Sequence, residues 1–148
     1  MKKLYWAACT YLALGLIAGV FYREFTKVFD GHGGETQLNT LHTHLLALGM
    51  MFFLICIALE HAFQLSAHRR FSTWFILHNV ALVWTIGFMV ANGVVHAMNR
   101  DELWGAAWSG LAGVGHILLT VSFIMFFVIL NKRIRVTEYH RAQEAAQH

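Results

Sequence analysis

Two histidines, His42 and His44, stand two residues apart at the start of a long apolar run. Successive residues of an α-helix are rotated by about 100°, so these two side chains leave a helix on nearly opposite sides. They therefore cannot easily hold one small metal ion together. An imidazole at the mouth of a membrane helix is costly unless it binds something. The spacing predicts that, if both histidines are ligands, they serve two different sites.

Three further histidines lie inside apolar stretches. His96 is near the end of its stretch, at a depth like that of the pair, and His78 is nearer the opposite end. His116 lies about 18 Å into its stretch at 1.5 Å per residue, near the middle of a bilayer. At such depths imidazole marks a ligand, a proton relay or a hydrogen bond between helices. The histidines expected in solvent or at the membrane interface are His32, His61, His68, His140 and His148.

Heme suits these histidines better than a small metal ion does. Structural zinc needs ligands that converge, and copper in a histidine site meets the same geometric difficulty. Heme b is large, flat and apolar, and one or two axial imidazoles hold it among Phe, Leu, Gly and Met side chains. Its propionates need cations at the water boundary, where Arg23, Lys27 and Arg100 are available. The cofactor-binding residues predicted are His42, His44, His96, His116 and Arg100, with His42 and His44 on the iron.

The composition indicates an integral membrane protein. Of the 148 residues, 57% are hydrophobic, only 13% are charged and none is proline. A soluble domain of this length needs more surface charge, and the short basic clusters indicate membrane orientation rather than nucleic-acid binding. Cys9 and Cys56 fall inside apolar runs, so we expect them to pack as small apolar side chains.

Four apolar stretches are long enough to cross a bilayer. They cover residues 4–22, 41–63, 71–98 and 103–130, within a transmembrane domain at 1–135 that is followed by a polar tail at 136–148. The connection at 23–40 is the longest, and it contains a glycine-rich turn at 30–34 and a candidate helix N-cap, Thr40. The shorter connections predict antiparallel neighbours in a four-helix bundle.

The basic residues predict the orientation of this bundle. Eight of the eleven Lys and Arg residues fall on the side of the termini and three on the other, which places both termini and the tail in the cytoplasm. The N-terminal segment lacks a convincing cleavage site, so we expect it to remain as a membrane helix. The fourth stretch is rich in glycine and alanine, which favours close helix packing over a space for a flat cofactor.

The stretch Leu-His-Thr-His-Leu-Leu at 41–46 resembles the second helix of the nitric oxide reductase branch of the heme–copper oxidase superfamily. In that branch, a Leu-His-Thr-Asn-Leu-Leu type of sequence carries an axial heme histidine. The following Met51-Phe52-Phe53 resembles the aromatic end of the same helix. The His-x-His pattern also resembles the family's tenth helix, whose two histidines face two hemes. The chain also resembles short, uncharacterised four-helix bacterial membrane proteins.

This resemblance implies a homotrimer. The family's catalytic subunit has twelve helices in three four-helix units, so three copies of a four-helix chain would rebuild it with true symmetry. His42 of one copy and His44 of the next would then face one iron, with up to three bis-histidine b-type hemes per trimer. Arg100 would lie where the family places arginines near heme propionates. The adjacent His-His pair that binds copper in the family has no counterpart here.

We therefore predict a multi-pass, b-type cytochrome of the bacterial inner membrane that works in electron transfer or redox sensing. We expect an electron carrier rather than an enzyme. It would bind heme, lie in the lipid bilayer and exchange electrons with an unidentified redox partner. Three alternatives stay open: a heme shared within one protomer by His96 and His42 or His44, a heme that binds or reduces a gas, and a histidine-rich membrane protein that binds a non-heme metal. A helper protein whose histidines only link helices is the simplest alternative.

Overall fold

The computed structural model describes residues 1–28 and 37–147, and four long helices fill most of these residues. They are α1 (Lys2–Val28), α2 (Leu38–Phe63), α3 (Phe71–Ala97) and α4 (Ala106–Ala145). Each is long and apolar enough to cross a membrane, which confirms the predicted all-helical, four-span organisation. The predicted glycine-rich turn at 30–34, together with His32 and His148, lies outside the described residues.

Consecutive helices are antiparallel. Along α1 from Gly15 to Gly19, the facing residues of α2 run backwards from Leu46 to His42. The other neighbouring helices show the same reversal in the contacts Leu38 with Gly93, Leu48 with His78, Thr85 with Gly115 and His78 with Ser122. We call the end with residues 64–70 and the start of α1 the Arg69 end. The opposite end, with residues 98–105 and the start of α2, is the Arg100 end.

The middle of α2 is wound as a π-helix from Leu45 to Met51. Such wide turns are rare and shift the positions that follow them around the helix axis. Gly49 lies within this segment, and a Cβ added there would overlap the ring of Tyr11 on α1. The close approach of α1 to α2 at this level therefore depends on a glycine.

The densest packing lies below the π-helical segment, toward the Arg69 end. Phe52 contacts Phe123 and Phe126 of α4 edge to face, with ring centroids 5.2 Å apart in both pairs. Trp74 of α3 and Phe53 of α2 are fully buried in the same cluster. Edge-to-face pairs of this kind add to the stabilisation that comes from apolar burial. This aromatic cluster therefore joins α2, α3 and α4.

The connection from α2 to α3 is tied to the helix that precedes it. Glu60 is buried, and its carboxylate accepts hydrogen bonds from the backbone N–H and the hydroxyl of Ser66. Gln64 ends α2 in the left-handed conformation, with φ 51°. Arg133 of α4 donates from Nε to the carbonyl of Phe63 at 3.0 Å, which satisfies a carbonyl at the helix end.

Several details differ from the sequence predictions. Thr40 is not the N-cap: α2 begins at Leu38, and the Thr40 hydroxyl donates to the carbonyl of Gln37 within the first turn. α1 continues to Val28 and α4 to Ala145, because residues 136–145 remain helical although most are exposed. Helix propensity continues past the apolar stretch, since Ala, Arg, Gln and Glu are good helix formers.

The small residues of α4 have two different surroundings. A Cβ added at Gly115 would overlap Thr85 of α3, so this glycine permits close helix packing as predicted. Gly110 and Gly113 have no neighbouring atom within 4 Å of such a Cβ. Cys56 is buried and Cys9 half-buried, and both are free thiols, which agrees with their predicted role as packing residues.

Candidate functional site

His44 is held in one tautomer by its own helix. Its Nδ1 lies 2.9 Å from the main-chain carbonyl of Thr40, one turn earlier. A carbonyl oxygen only accepts, so Nδ1 carries the proton and the Nε2 of the neutral ring carries the lone pair. A hydrogen bond from one ring nitrogen to a backbone carbonyl is the arrangement that orients histidine as a metal ligand through the other nitrogen. The Nε2 of His44 thus carries a lone pair that could bind a metal ion.

His42 lies on the other side of α2. Residues 38–44 form a regular α-helix, so the side chains of His42 and His44 diverge by about 200°. The His42 Cβ lies 4.0 Å from the position of a Cβ built on Gly19, which places this residue toward α1. Its Nδ1 is buried and has no hydrogen-bond partner within the described ranges. A buried polar atom without a partner is unfavourable and marks a position to be explained.

His116 lies at nearly the same depth as this pair. Leu38 of α2 contacts Gly93 of α3, and the two helices are antiparallel. His44 is six residues further along α2, so it lies level with about residue 87 of α3. The Gly115–Thr85 contact places His116 level with about residue 84. The depths therefore differ by about 4–5 Å at 1.5 Å per residue.

His116 also lines a cavity of about 250 Å³ toward the Arg100 end. The cavity lies between the start of α2, α3 and the first turns of α4, and its polar lining includes Gln37, Thr85 and Ser109. The side chain of His116 is exposed, and no hydrogen bond reaches its ring from the part of the chain that the structure describes. His42, His44 and His116 thus lie at one level, and each has a ring nitrogen without a hydrogen-bond partner among the residues that the structure describes.

The other two predicted site residues lie in the turn after α3. Nδ1 of His96 is 2.6 Å from Oδ1 of Asp101, and the His96 side chain is 41% exposed. Arg100 donates from Nε to the carboxylate of Glu102 at 3.0 Å. The structure thus brings His96 and Arg100 into one exposed turn at the Arg100 end, and gives each a carboxylate partner from the next residues.

No group of three His, Cys, Asp or Glu side chains within residues 1–28 and 37–147 is arranged to hold a metal ion. A single protomer therefore brings together no complete small-metal site from the described residues. The predicted ligands are distributed over opposite sides of α2 and over α4. Any cofactor held by two of these histidines would be large, or would lie between protomers.

His78 behaves differently from all of these residues. It is fully buried on α3, its Nε2 lies 3.1 Å from the carbonyl of Leu48 and its Nδ1 lies 3.0 Å from the hydroxyl of Ser122. The carbonyl only accepts, so Nε2 donates to it and Nδ1 accepts from the serine. His78 thereby links α2, α3 and α4, which is the hydrogen bond between helices among the three roles considered for this residue.

Aromatic rings enclose His78 on several sides. Phe52 lies 4.6 Å away between ring centroids, Phe53 5.3 Å, Phe123 5.5 Å and Trp74 6.0 Å. Both ring nitrogens are already used. A ligand at His78 would have to break a hydrogen bond inside the best-packed part of the bundle, so this histidine is structural.

The histidines at the helix ends and in the tail are accessible, as expected. His61 and His140 are exposed, and His68 is half-buried in the α2–α3 connection. Partial burial lowers the pKa of His68, and the nearby cations Lys132, Arg69, Arg70 and Arg133 lower it further. Burial and the surrounding cations both favour the neutral form of His68, and the cations distinguish the Arg69 end from the histidine level deeper in α2.

Sequence reasoning found the histidines but missed the groups that determine what they do. The Leu48 carbonyl that receives His78 belongs to a π-helical segment, and the π turn has no clear signature in the sequence. The carbonyl that orients His44 is found by counting back one turn, since residue 40 lies four positions earlier. Any histidine inside a helix has this carbonyl within reach, so the signal is weak.

The comparisons place the chain in a family without giving it an activity. No curated protein and no solved structure matches the chain. Residues 1–133 match the family described as "Protein of unknown function (DUF2871)". This agrees with the expected likeness to uncharacterised four-helix membrane proteins, while the likeness to heme–copper oxidases stays a prediction. Because the match covers most of its length, the chain belongs to the DUF2871 family.

Proposed function

We propose that the protein is a membrane b-type cytochrome that transfers or senses single electrons, with His44 as an axial ligand of its heme. The observation that carries this proposal is the hydrogen bond from His44 Nδ1 to the Thr40 carbonyl, which leaves the Nε2 lone pair facing away from its own helix turn. Heme supplies a reversible one-electron centre whose potential is set by its axial ligands and surroundings.

The surroundings of His44 fit a porphyrin. The level of His42, His44 and His116 lies within membrane-length apolar helices, where a flat apolar ring is well solvated. On α4, Gly110 and Gly113 leave open space next to this level, since a Cβ added at either glycine has no neighbour within 4 Å. Arg100, in the turn at the Arg100 end, is available to a propionate if it leaves Glu102.

The second axial ligand is best supplied by another copy of the chain. His42 points to the opposite side of α2 from His44, so the two cannot reach one iron within a protomer. In a closed ring of three copies, His42 of one copy and His44 of its neighbour would meet at each interface. Among residues 1–28 and 37–147 the buried Nδ1 of His42 has no partner, which agrees with a side chain whose role is completed by assembly.

The alternative that pairs His42 or His44 with His96 in one protomer is less well supported. From the Leu38–Gly93 contact, His42 is level with about residue 89 of α3, seven residues from His96. Seven residues correspond to about 10 Å along the helix axis. His96 is also engaged with Asp101 in the exposed turn.

The chain's own residues would then have clear tasks. His44 binds the iron through Nε2, the Thr40 carbonyl orients the ring, and the surrounding helices exclude water. The eight-to-three distribution of basic residues supports an inner-membrane protein with both termini in the cytoplasm. In that orientation the Arg100 end, and with it the heme, lies toward the outer leaflet.

The first experiment compares absorption spectra of matched histidine variants made in cells with ample heme. We expect a low-spin b-type spectrum for the natural chain and its loss in His44→Ala. His61→Ala is the control, because His61 lies on the same helix and is exposed at the Arg69 end. Equal heme content in all three proteins would show that His44 is not a ligand. Stoichiometric zinc or copper without porphyrin absorbance would instead identify a non-heme metal protein.

Carbon monoxide separates the electron carrier from the gas-binding alternative. An iron with two imidazole ligands has no open position, so the spectrum of the reduced protein should not change on addition of carbon monoxide. A rapid shift to a carbon monoxide spectrum would show an open position. The protein would then be assigned to gas binding or gas reduction.

Mixed trimers test whether the heme is shared between copies. Neither His42→Ala nor His44→Ala alone should hold a bis-histidine heme. When the two variants are produced together in equal amounts, random assembly into trimers restores one intact interface in each mixed trimer, or about a quarter of the natural heme content. No recovery on mixing, with normal heme in either single variant, would contradict shared ligation.

A further inference from the structure

A long groove runs along the outer face of α3, bordered by α1 toward the Arg69 end and by α4 toward the Arg100 end. It consists of two hollows, one of about 630 Å³ toward the Arg69 end and one of about 620 Å³ toward the Arg100 end. Asn79 and Val83 line both hollows, so the two meet at these residues. Volumes of this size are typical of sites for small molecules.

The two hollows differ in polarity. The hollow at the Arg69 end includes Lys2, Lys3 and Thr10 in its lining. The hollow at the Arg100 end is apolar except for Asn79 and includes Phe88 and Trp108. The indole N–H of Trp84, which also lines it, is already used by the carbonyl of Leu111 at 2.9 Å. The groove therefore suits a molecule with a polar head and a long apolar chain.

Asn79 is the polar group at the junction of the hollows. Its Oδ1 accepts from the Tyr11 hydroxyl at 2.9 Å, and its Nδ2 donates to the carbonyl of Phe75 at 2.7 Å. An amide nitrogen has two hydrogens, and the second has no partner among the described residues. In hydrocarbon an unused donor is unfavourable, so a ligand in the groove is favoured if it carries an acceptor at this depth.

We propose that this groove binds a quinone with an isoprenoid chain. A ring carbonyl of the quinone accepts the free N–H of Asn79, its flat head lies among aromatic side chains such as Phe75, and its chain occupies the apolar hollow. A phospholipid fits less well. Its phosphate near Lys3 would place only hydrocarbon beside Asn79, because Lys3 and Tyr11 are eight residues, or about 12 Å, apart along α1.

The redox consequence of this site rests on the proposed function, whereas binding of the quinone does not. Oxidation of a quinol releases two protons and two electrons, and the proposed hemes are the one-electron acceptors. A protein that binds quinone but lacks heme would contradict the cytochrome and leave the groove assignment intact. A protein with heme but without quinone binding would contradict the groove assignment and leave the cytochrome intact.

The test is a titration of the full-length protein in detergent with decylubiquinone, read by quenching of tryptophan fluorescence. Trp84 and Trp108 line the groove and report its occupancy. We expect saturable quenching, and a Kd raised about tenfold in Asn79→Leu because one hydrogen bond is lost. Gly87→Leu should prevent binding, since Gly87 lines the apolar hollow and has open space before it.

Ala58→Leu is the matched control, because Ala58 is an exposed small residue within a helix that does not line the groove. It should bind like the natural chain. If Asn79→Leu fails to fold, the comparison of Gly87→Leu with Ala58→Leu decides the question alone. Equal, non-saturating quenching in all variants would show partition into the micelle only and overturn the site. Co-purified anionic phospholipid that is lost on replacing Lys2 and Lys3, with no saturable quenching by the quinone in any variant, would overturn it in favour of lipid.

Discussion

The two halves of α2 differ in the hydrogen bonding of the histidines that lie on or against them. Within the π-helical segment and below it, the carbonyl of Leu48 bonds His78, and both nitrogens of that ring are hydrogen-bonded inside an aromatic cluster. Above it, His44 bonds only its own helix, and the buried Nδ1 of His42 has no partner in the described chain. Both regions lie in the same four helices and use the same side-chain type.

The difference shows how a buried histidine can be classified. His78 completes its hydrogen bonds within the protomer, so its contribution is to folding. Among the described residues, Nδ1 of His42 has no partner and Nδ1 of His44 bonds only its own helix, so we propose that heme and a second copy of the chain complete their contacts. Along α2 the two regions are close in depth, because Leu48, whose carbonyl bonds His78, is only four residues, or about 6 Å, from His44.

The largest effect is expected for His78→Leu. The replacement leaves the Ser122 hydroxyl and the Leu48 carbonyl without their partner, and each unsatisfied buried group costs about 1–3 kcal/mol. We expect the free energy of unfolding in detergent, followed by circular dichroism, to fall by about 2–4 kcal/mol. His61→Leu, at an exposed position, should change it by less than about 0.5 kcal/mol. Equal stability of the two variants would remove the distinction between the regions.

Gly49→Ala should rank second. The added Cβ overlaps the ring of Tyr11, which is stacked on Phe53 with centroids 5.8 Å apart and has little room to move. Overpacking of this kind costs about 1–3 kcal/mol. Gly110→Ala is the control, because open space surrounds that position and Ala favours helix. A Gly49→Ala protein as stable as the control would mean that α1 and α2 do not approach closely at the π-helical segment.

A smaller effect is expected for Ser122→Ala. The change removes one of the two hydrogen bonds of His78 and adds no bulk, so we expect a loss of about 1 kcal/mol in the same unfolding measurement. Thr120→Ala is a matched control on the same helix, since its hydroxyl bonds the carbonyl of His116 one turn back and is exposed. A greater loss for the control than for Ser122→Ala would argue against His78 as the polar link between α3 and α4.

The smallest effect on stability, with the opposite sign, is expected for His42→Leu. In His42→Leu the replacement removes a buried nitrogen without a partner, so the free energy of unfolding of the heme-free protein should stay unchanged or rise by up to about 1 kcal/mol. In protein from heme-sufficient cells, the heme content of the same variant should fall. A loss of stability as large as that of His78→Leu would show that His42 is structural too, and the contrast between the two halves of α2 would disappear.

Much of the fold could be predicted because membrane helices are determined by composition and length. Predicted starts and ends agree closely for α3, whose turns are short, and less well for α1 and α4, whose polar ends continue as helix. The opposed directions of His42 and His44 follow from helix geometry alone. The π-helical turn and the partners of His78 could not be predicted, since they result from packing between three helices rather than from local sequence.

The central claim is that His44 is prepared to bind heme, and the heme content of the purified natural chain tests it most directly. A pyridine hemochrome assay on protein from heme-sufficient cells should give about one heme b per chain, the value expected for three shared hemes in a trimer. A colourless, folded protein from such cells would contradict the account. The open histidine level of α2 and α4 would then need another ligand.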